Sequence, residues 1–355
     1  MCSREVGTTL ETVPITDRVL ALVVALVWGL NFVAIHLSLQ QFPPFFLVAL
    51  RFAVIAVPTV VLVRRPAVPW PWLLAYGFGF GVLQFVFLYL AMDNGMPTGL
   101  ASLVLQSSAP FTVLLAGLVL RERLTARQSA GVGLAVLGLA TIAAYRAGLD
   151  GGATVLPVLL TLCGGVGWAL GNVANRQARS DRPFALMLWM TVVPPVPMLA
   201  LYLALEGPAR IGASLTTLNT VRGSLALAGL GFTVIAATLV GSGLWTALMS
   251  RHPSSTVAPF SMLVPVVGIA ASAALLHEPT TAVELAAGAV VVAGVLLSTR
   301  PQRRRQLMTT GGDQPATEVM ADRGERARRA PAPRSSRQQA SGADSPRAAR
   351  TDSSA

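Results

Sequence analysis

Residues 94–120 read NGMPTGLASLVLQSSAPFTVLLAGLVL, a run of 27 residues without Asp, Glu, Lys or Arg. A helix that crosses a bilayer needs roughly 20 consecutive apolar residues, so this run is long enough to form one. Seven further runs lack the same four residue types: 19–50, 66–92, 128–145, 151–175, 183–205, 223–250 and 252–277. The sequence therefore predicts an all-α polytopic membrane protein.

The overall composition supports the same fold class. Of 355 residues, 53% are hydrophobic and 12% are charged, whereas a soluble domain carries about 25% charged residues. The apolar runs, together with the Pro, Gly and charged breaks between them, predict ten transmembrane helices. These helices are predicted at 19–38, 44–63, 70–92, 97–120, 127–145, 154–176, 184–205, 223–248, 255–276 and 281–299.

The distribution of arginine predicts the orientation in the membrane, because short cytoplasmic loops retain positive charge. With the N-terminus inside, eleven arginines fall in cytoplasmic segments before the C-terminal tail and three fall on the opposite face. We therefore expect both termini in the cytoplasm. The cytoplasmic set is Arg4, Arg18, Arg64, Arg65, Arg121, Arg123, Arg127, Arg176, Arg179, Arg182 and Arg251, and the other set is Arg146, Arg210 and Arg222.

The chain also repeats itself at an ungapped offset of 156 residues. Each copy of the repeat contains one pair with the spacing of a capping box, Thr125/Gln128 in the first copy and Thr281/Glu284 in the second. Both pairs therefore predict a helix start. A second correspondence, at an offset of 140, places Trp28-Gly29-Leu30 over Trp168-Ala169-Leu170. The pairs at offset 156 are Pro97 with Pro253, Glu122 with Glu278, Thr125 with Thr281, Gln128 with Glu284 and Gly138 with Gly294.

These correspondences predict two five-helix repeats at 18–145 and 154–299, joined by a linker at 146–153. Because five is odd, the second repeat must enter the membrane in the opposite sense. Inverted repeats are typical of transporters that expose one central site to alternate sides, although duplication for structural economy is the alternative. The flanking segments, 1–17 and 300–355, are predicted to be cytoplasmic, and the Arg-rich tail is predicted to be disordered.

Polar groups inside predicted helices are candidate binding residues, because lipid cannot satisfy them. Trp28 and Asn31 share one helix face, as do Trp168, Asn172 and Asn175. Such faces line a substrate cavity or form inter-helix hydrogen bonds around packed tryptophans. Arg51 interrupts an apolar run, where it is placed to bind a substrate carboxylate, to snorkel toward the outer interface or to bond to backbone carbonyls. The candidate substrate-binding residues are Trp28, Asn31, Arg51, Gln84, Gln106, Trp168, Asn172, Asn175 and Ser261, and the repeat positions with structural roles are Pro97, Glu122, Pro253, Pro265 and Glu278.

Enzymatic motifs are missing from the sequence. There are three histidines, no Cys cluster with metal-ligand spacing, no nucleophile elbow and no phosphate-binding glycine loop. We therefore predict no enzyme activity, cofactor, metal site or nucleic-acid partner, and expect a small-molecule substrate and the lipid bilayer as partners. Since no Asp or Glu lies deep inside a predicted helix, facilitated export or exchange is expected.

Three stretches carry a family resemblance: Trp28 to Val33, Gly95 to Gln106 and Val257 to Gly268. With Pro43-Pro44 and Leu50-Arg51-Phe52, they resemble the EamA family of the drug/metabolite transporter superfamily, and within it the bacterial exporters of cysteine and O-acetylserine. The resemblance implies ten helices in two inverted repeats and a bacterial inner-membrane location. His36 stands where those exporters have a lysine, and 302–355 has no counterpart in them.

The resulting functional hypothesis is an alternating-access exporter of amino-acid-related metabolites similar to cysteine or O-acetylserine. A multidrug or nucleobase efflux transporter of the same superfamily is the first alternative. A non-transporting membrane scaffold, acting through the tail, is the second.

Overall fold

The computed structural model describes residues 14–119, 124–149, 155–252, 257 and 260–299. Within them all regular structure is helical, and eight helices are long and apolar enough to cross a membrane. These are α1 (Ile15–Leu39), α2 (Pro44–Leu62), α3 (Trp70–Asp93), α4 (Thr98–Val119), α5 (Ala126–Leu149), α6 (Val155–Ala178), α7 (Pro183–Leu205) and α8 (Val221–Arg251). Two shorter apolar helices follow, α9 (Leu263–Leu275) and α10 (Ala282–Thr299), and a short helix, Pro208–Thr216, lies between α7 and α8.

The helix boundaries agree with the predicted ones to within a few residues, apart from two extensions and the start of α9, which lies at Leu263 and not at 255. Residues 253–256, 258 and 259 before α9 are outside the described residues. Helix α1 begins at Ile15, where Pro14 precedes it and Asp17 lies in its first turn, a favourable position for an acid at a helix N-terminus. Helix α5 continues to Leu149, into the predicted linker. The charge of Arg146 does not end α5 because its guanidinium pairs with Glu284, 2.5 Å away. The predictions for Glu122, Pro253 and the tail 300–355 concern residues outside the described part of the chain.

Both predicted capping boxes are confirmed. The Thr125 N–H donates to Gln128 Oε1 (2.9 Å) and the Gln128 N–H donates back to Thr125 Oγ1 (3.2 Å). The Thr281 N–H and the Glu284 carboxylate (3.0 Å), and the Glu284 N–H and Thr281 Oγ1 (3.3 Å), form the same reciprocal pair. Side chains thus satisfy donors that the first turns of α5 and α10 would otherwise leave unpaired.

Several helices are irregular in their middle. Helix α3 contains a π-helical segment at Gly77–Leu83, and α8 contains another at Phe232–Gly241. Helix α4 has one 3₁₀ turn at Leu105–Ser107, and α7 is interrupted between Met190 and Pro195. Irregular backbone at membrane depth is tolerated where neighbouring protein groups satisfy it, and π-helical turns often mark functional sites.

The helices pack in pairs around the bundle. Helix α1 packs on α8 and α9, while α6 packs on α3 and α4. Helix α2 contacts α7, and α5 lies along α10. Large apolar side chains on the outside of the bundle, such as Val57, Leu118 and Leu203, are exposed, as expected of surfaces that face lipid.

Close backbone contact between α3 and α6 depends on glycine. A Cβ atom on Gly79 would lie 2.6 Å from the backbone nitrogen of Gly171, and one on Gly167 would lie 2.6 Å from the nitrogen of Gln84. Any side chain at these positions would push the two helices apart. The glycines of α3 therefore form a helix contact and not a phosphate-binding loop.

The two ends of the bundle are identified by their contacts. We call the end where α1 begins the terminal end; there Asp17 Oδ2 lies 2.6 Å from His252 Nε2, just after α8. We call the opposite end the far end. At the far end the Glu206 carboxylate, after α7, accepts the Phe45 N–H (3.1 Å) at the start of α2.

Candidate functional site

A cavity of about 380 Å³ lies in the centre of the bundle, between α1–α4 and α6–α9. Among its described lining residues, Arg51 is the only charged one. The structure brings all nine predicted candidates together here, although they come from five different helices and the segment before α9. They are Trp28, Asn31, Arg51, Gln84, Gln106, Trp168, Asn172, Asn175 and Ser261.

Arg51 is buried in this cavity, with 5% of its surface exposed. Its Nη1 donates to the Tyr89 hydroxyl (3.1 Å) and its Nη2 to Thr238 Oγ1 (3.0 Å). The guanidinium carbon lies 4.0 Å from the ring centroid of Phe85. Among the described residues no carboxylate lies within 4.0 Å of the guanidinium. The arginine is therefore held by neutral groups and does not snorkel to the interface.

The π-helical segment of α8 supplies two of the atoms that shape the cavity. The Thr238 hydroxyl, which accepts from Arg51, donates to the carbonyl of Thr233 five residues earlier (2.8 Å). The Ala237 carbonyl accepts the indole N–H of Trp28 (3.0 Å). The irregular helix therefore orients one aromatic and one charged side chain at the same level of the cavity.

Aromatic rings form much of the remaining wall. Trp168 packs edge-on to Phe80 with ring centroids 5.8 Å apart, and Phe80 contacts Phe85 at 6.0 Å. On the other side, the Trp28 and Trp245 centroids are 5.3 Å apart. Such contacts hold the rings in fixed positions, so the cavity has a defined shape.

The alternative interpretation of the polar stripes, inter-helix hydrogen bonding, holds for part of the set. The Asn172 amide donates to Thr112 Oγ1 (3.2 Å), which joins α6 to α4, and Trp28 joins α1 to α8. Both residues also line the cavity, so packing and cavity roles coexist at these positions.

Three buried atoms of residues that line the cavity have no hydrogen-bond partner among the described residues: Asn31 Oδ1, Gln84 Oε1 and Arg51 Nε. Asn31 is 9% exposed and Gln84 is 3% exposed. Leaving a buried donor or acceptor unpaired costs about 1–3 kcal/mol. These atoms are therefore suited to receive the polar groups of a ligand.

The cavity reaches the surface at the terminal end. Asn175 and Pro183 are exposed there and belong to its lining, as does Thr246 near the end of α8. Toward the far end the lining stops at Ile35, Arg51 and Leu88.

Beyond that level, a polar network ties α1, α4 and the α9–α10 connection together. Glu278 accepts from the Thr98 hydroxyl (2.8 Å) and the Gly99 N–H (3.4 Å), and His36 Nδ1 lies 3.3 Å from Thr98 Oγ1. Glu278 thereby anchors the first turn of α4, which Pro97 precedes as its N-cap. Pro265 lies in the first turn of α9, where the missing N–H costs little.

Sequence reasoning missed the side chains that hold Arg51, namely Tyr89, Phe85 and Thr238. Phe85 and Tyr89 are four residues apart, a spacing that places both on one face of α3 and was available as a signal. Thr238 carried no such signal, because its position depends on the π-helical turn and on the approach of α8 to α2.

The sequence of the chain is similar to those of proteins named as membrane transporters. The model of the EamA-like transporter family matches at 18–144 and again at 155–300. A relative from Salmonella typhimurium, named "Probable amino-acid metabolite efflux pump", is 40% identical over 83% of this chain and 99% of its own. A relative of the same name from Escherichia coli is 38% identical over 83% and 98%.

More distant matches agree. An "Uncharacterized transporter" from Archaeoglobus fulgidus is 28% identical over 79% of this chain and 98% of its own. A solved crystal structure covers 80% of this chain and 97% of its own, with a TM-score of 0.53 and 20% identity. That last likeness concerns the fold alone.

Proposed function

The chain belongs to the EamA-like transporter family, and we propose that it exports small amino-acid-related metabolites across a bacterial inner membrane by alternating access. The observation that carries this proposal is Arg51, a buried guanidinium in a membrane-depth cavity without a carboxylate partner among the described residues. A buried charge is costly unless it is paired, and a substrate carboxylate supplies the pair. Arginine also matches the planar geometry of a carboxylate with two parallel N–H donors.

The substrate class is further supported by the two curated relatives named as amino-acid metabolite efflux pumps. Cysteine and O-acetylserine are the metabolites that the sequence resemblance suggests. Both carry an α-carboxylate and are small enough for a cavity of about 380 Å³.

Two inverted five-helix repeats would supply the alternating access. The helix contacts are equivalent in the two halves when α1–α5 are matched in order with α6–α10. Helix α1 packs on α8 and α9, and its counterpart α6 packs on α3 and α4, which are the counterparts of α8 and α9. The α5–α10 contact behaves in the same way. Gly138 of α5 lies against Ala287 of α10. At the repeat offset of 156 residues, Gly138 corresponds to Gly294 and Ala287 to Gly131, and these two residues also lie against each other. Both halves also contain a π-helical segment in their third helix.

The predicted orientation identifies the face of the membrane to which the cavity opens. With both termini in the cytoplasm, the terminal end is the cytoplasmic face, and the cavity mouth at Asn175 and Pro183 admits metabolites from inside the cell. The network around Glu278 then forms the closed outer side. The described arrangement corresponds to the inward-facing state of the cycle.

The test is solute counterflow with the purified full-length chain in proteoliposomes. Vesicles loaded with unlabelled O-acetyl-L-serine or L-cysteine should accumulate the labelled compound well above the level of empty vesicles. Thr59→Val is a matched control on α2, because among the described residues the Thr59 hydroxyl bonds to the Ile55 carbonyl of its own helix (2.8 Å). Equal uptake by loaded and empty vesicles across a panel of amino acids would contradict the proposal.

A multidrug function is the second candidate, favoured by the aromatic cavity wall around Trp28, Trp168 and Trp245. The two functions make opposite demands on charge. Most multidrug substrates are organic cations, and the only charged lining residue among those described is cationic. Growth assays with toxic cations separate the two: protection by the protein against ethidium, without any effect on amino-acid efflux, would favour the drug transporter.

A further inference from the structure

The central cavity holds unpaired acceptors as well as an unpaired donor. Arg51 carries five N–H donors, of which Tyr89 and Thr238 take one each, and its Nε has no partner among the described groups. Asn31 Oδ1 and Gln84 Oε1 are acceptors without a donor. All three residues are more than nine-tenths buried and line the same cavity. A ligand that satisfies the cavity must therefore bring both an acceptor and hydrogen-bond donors.

The positions of the two amide acceptors are set by backbone packing. A Cβ atom on Gly167 would lie only 2.6 Å from the backbone nitrogen of Gln84. A Cβ atom on Gly164 would lie 3.0 Å from the Gln84 backbone carbonyl oxygen. Asn31 follows Trp28 on α1, whose indole is tied to α8 by its bond to the Ala237 carbonyl. The backbone of Gln84 is thus held in place by its contact with α6. The backbone of Asn31 is held in place by the bond between α1 and α8.

We infer that Asn31 and Gln84 receive the free α-ammonium group of the substrate while Arg51 receives its carboxylate. This inference rests on the proposed function and narrows its substrate class to zwitterionic primary amino acids. An ammonium group has three N–H donors and can serve both amide oxygens at once. A hydroxyl group has one donor, so a hydroxy acid leaves one buried oxygen unpaired. An acylated nitrogen has one N–H and carries an acyl group in place of the other donors, so it also leaves one buried oxygen unpaired.

The neutral character of both acceptors adds a second selection. Among the described lining residues no carboxylate is present to hold an isolated cation. An amine without a carboxylate would therefore face the positive charge of Arg51 with no compensating anion, and is rejected. The cavity accepts a molecule only when opposite charges arrive together.

Two isomers test the inference directly. O-acetyl-L-serine and N-acetyl-L-serine have the same atoms and the same carboxylate, but only the first has a free ammonium group. With the purified full-length chain in proteoliposomes, each isomer competes for counterflow of labelled O-acetyl-L-serine. We expect N-acetyl-L-serine to compete at least about tenfold more weakly, a difference of about 1.4 kcal/mol. The amine formed by removing the carboxylate from O-acetylserine should not compete.

Variants then assign the discrimination to the two amides. Asn31→Leu and Gln84→Met replace the acceptors with apolar side chains of similar size, and each should reduce the preference for the free amine severalfold. Thr161→Val is the control, because Thr161 is buried outside the cavity and bonds to the Pro157 carbonyl of its own helix (2.9 Å). The comparison of isomers on the unaltered protein stands even if a variant fails to fold.

The outcomes separate the two levels of the proposal. Equal competition by both isomers, with counterflow that still depends on Arg51, would overturn the ammonium site and leave the export function intact. Preference for the free amine that persists in both variants would place the ammonium elsewhere. Counterflow of neither isomer would contradict the proposed substrate class as well as the inference.

Discussion

The guanidinium of Arg51 lies over the ring of Phe85, with 4.0 Å between the guanidinium carbon and the ring centroid. This contact orders the charge without neutralising it, since a ring face attracts a cation through its quadrupole alone. Tyr89 and Thr238 fix the two terminal nitrogens. The Arg51 Nε is left without a partner among the described groups, although Arg51 lines the cavity.

Replacing Arg51 should abolish selective transport without unfolding the protein. A hydrogen bond to a charged group contributes about 1.5–3 kcal/mol, so Arg51→Met should lower counterflow of O-acetyl-L-serine by about 10- to 150-fold. Arg51→Lys keeps the charge, but its single nitrogen cannot bind Tyr89, Thr238 and a carboxylate at once. Its counterflow should therefore lie between that of the wild type and that of Arg51→Met. Wild-type counterflow in Arg51→Met, with Thr59→Val as the reference variant, would exclude a substrate role for this arginine.

The contact between α5 and α10 should depend on Gly131. A Cβ at this position would lie 2.4 Å from the backbone nitrogen of Ser298 and 2.7 Å from the Gly294 carbonyl. Gly131→Ala should therefore lower the thermal midpoint in detergent. Gly133→Ala on the same helix meets no atom within 4 Å and should leave the midpoint unchanged or raise it, because alanine favours helix by up to about 1 kcal/mol. Equal midpoints for the two variants would contradict the close packing.

Thr98 and Glu278 should be energetically coupled. The 2.8 Å hydrogen bond between them joins the start of α4 to the α9–α10 connection. A double-mutant cycle with Thr98→Val and Glu278→Ala should give an interaction energy of about 0.5–3 kcal/mol in unfolding measured in mixed micelles. The control cycle pairs Thr98→Val with Thr161→Val, for which additive effects are expected. Additivity in both cycles would mean that Glu278 does not hold α4.

Accessibility should reveal the direction in which the cavity opens. In a variant with Cys2 and Cys163 replaced by serine, Asn175→Cys should react with a membrane-impermeant maleimide in inside-out vesicles and stay unlabelled in intact cells. Thr216→Cys, in the exposed helix at the far end, should show the reverse pattern. Labelling of both positions from the same side would refute the assigned orientation or the mouth at the terminal end.

Glu206 should make stability depend on pH. Burial raises the pKa of its carboxyl, and this outweighs the N–H donors of Phe45 and Phe46 and the charge of Arg210. The folded protein therefore keeps this proton to a higher pH than the unfolded chain, whose glutamates titrate at roughly 4.3. Stability should fall as pH rises from the unfolded pKa of glutamate through the raised pKa of Glu206 in the folded protein. Glu206→Gln, which cannot ionise, should reduce that fall. Identical pH profiles of the thermal midpoint would show that the shift has no effect on stability.

Local features of the sequence were sufficient for the eight long helices and for the capped starts of α5 and α10. Membrane-spanning helices satisfy their own backbone, so length and apolar character predict them without knowledge of their neighbours. The capping boxes at Thr125 and Thr281 involve residues three apart, and both formed as expected. The nine candidate residues could be chosen because polar side chains at membrane depth are rare and must face the protein interior.

Only the tertiary structure decided what those side chains contact. Arg51 bonds to Thr238 across 187 residues, and Trp28 bonds to Ala237 across 209. Both contacts depend on a π-helical segment of α8, whose irregular backbone is stabilised by neighbouring helices and leaves no mark in the local pattern. The cavity, its opening at the terminal end and the unpaired oxygens of Asn31 and Gln84 arise from packing between distant segments. The sequence thus determined which residues face inward, while helix packing determined which of them keep a polar atom without a partner among the described residues.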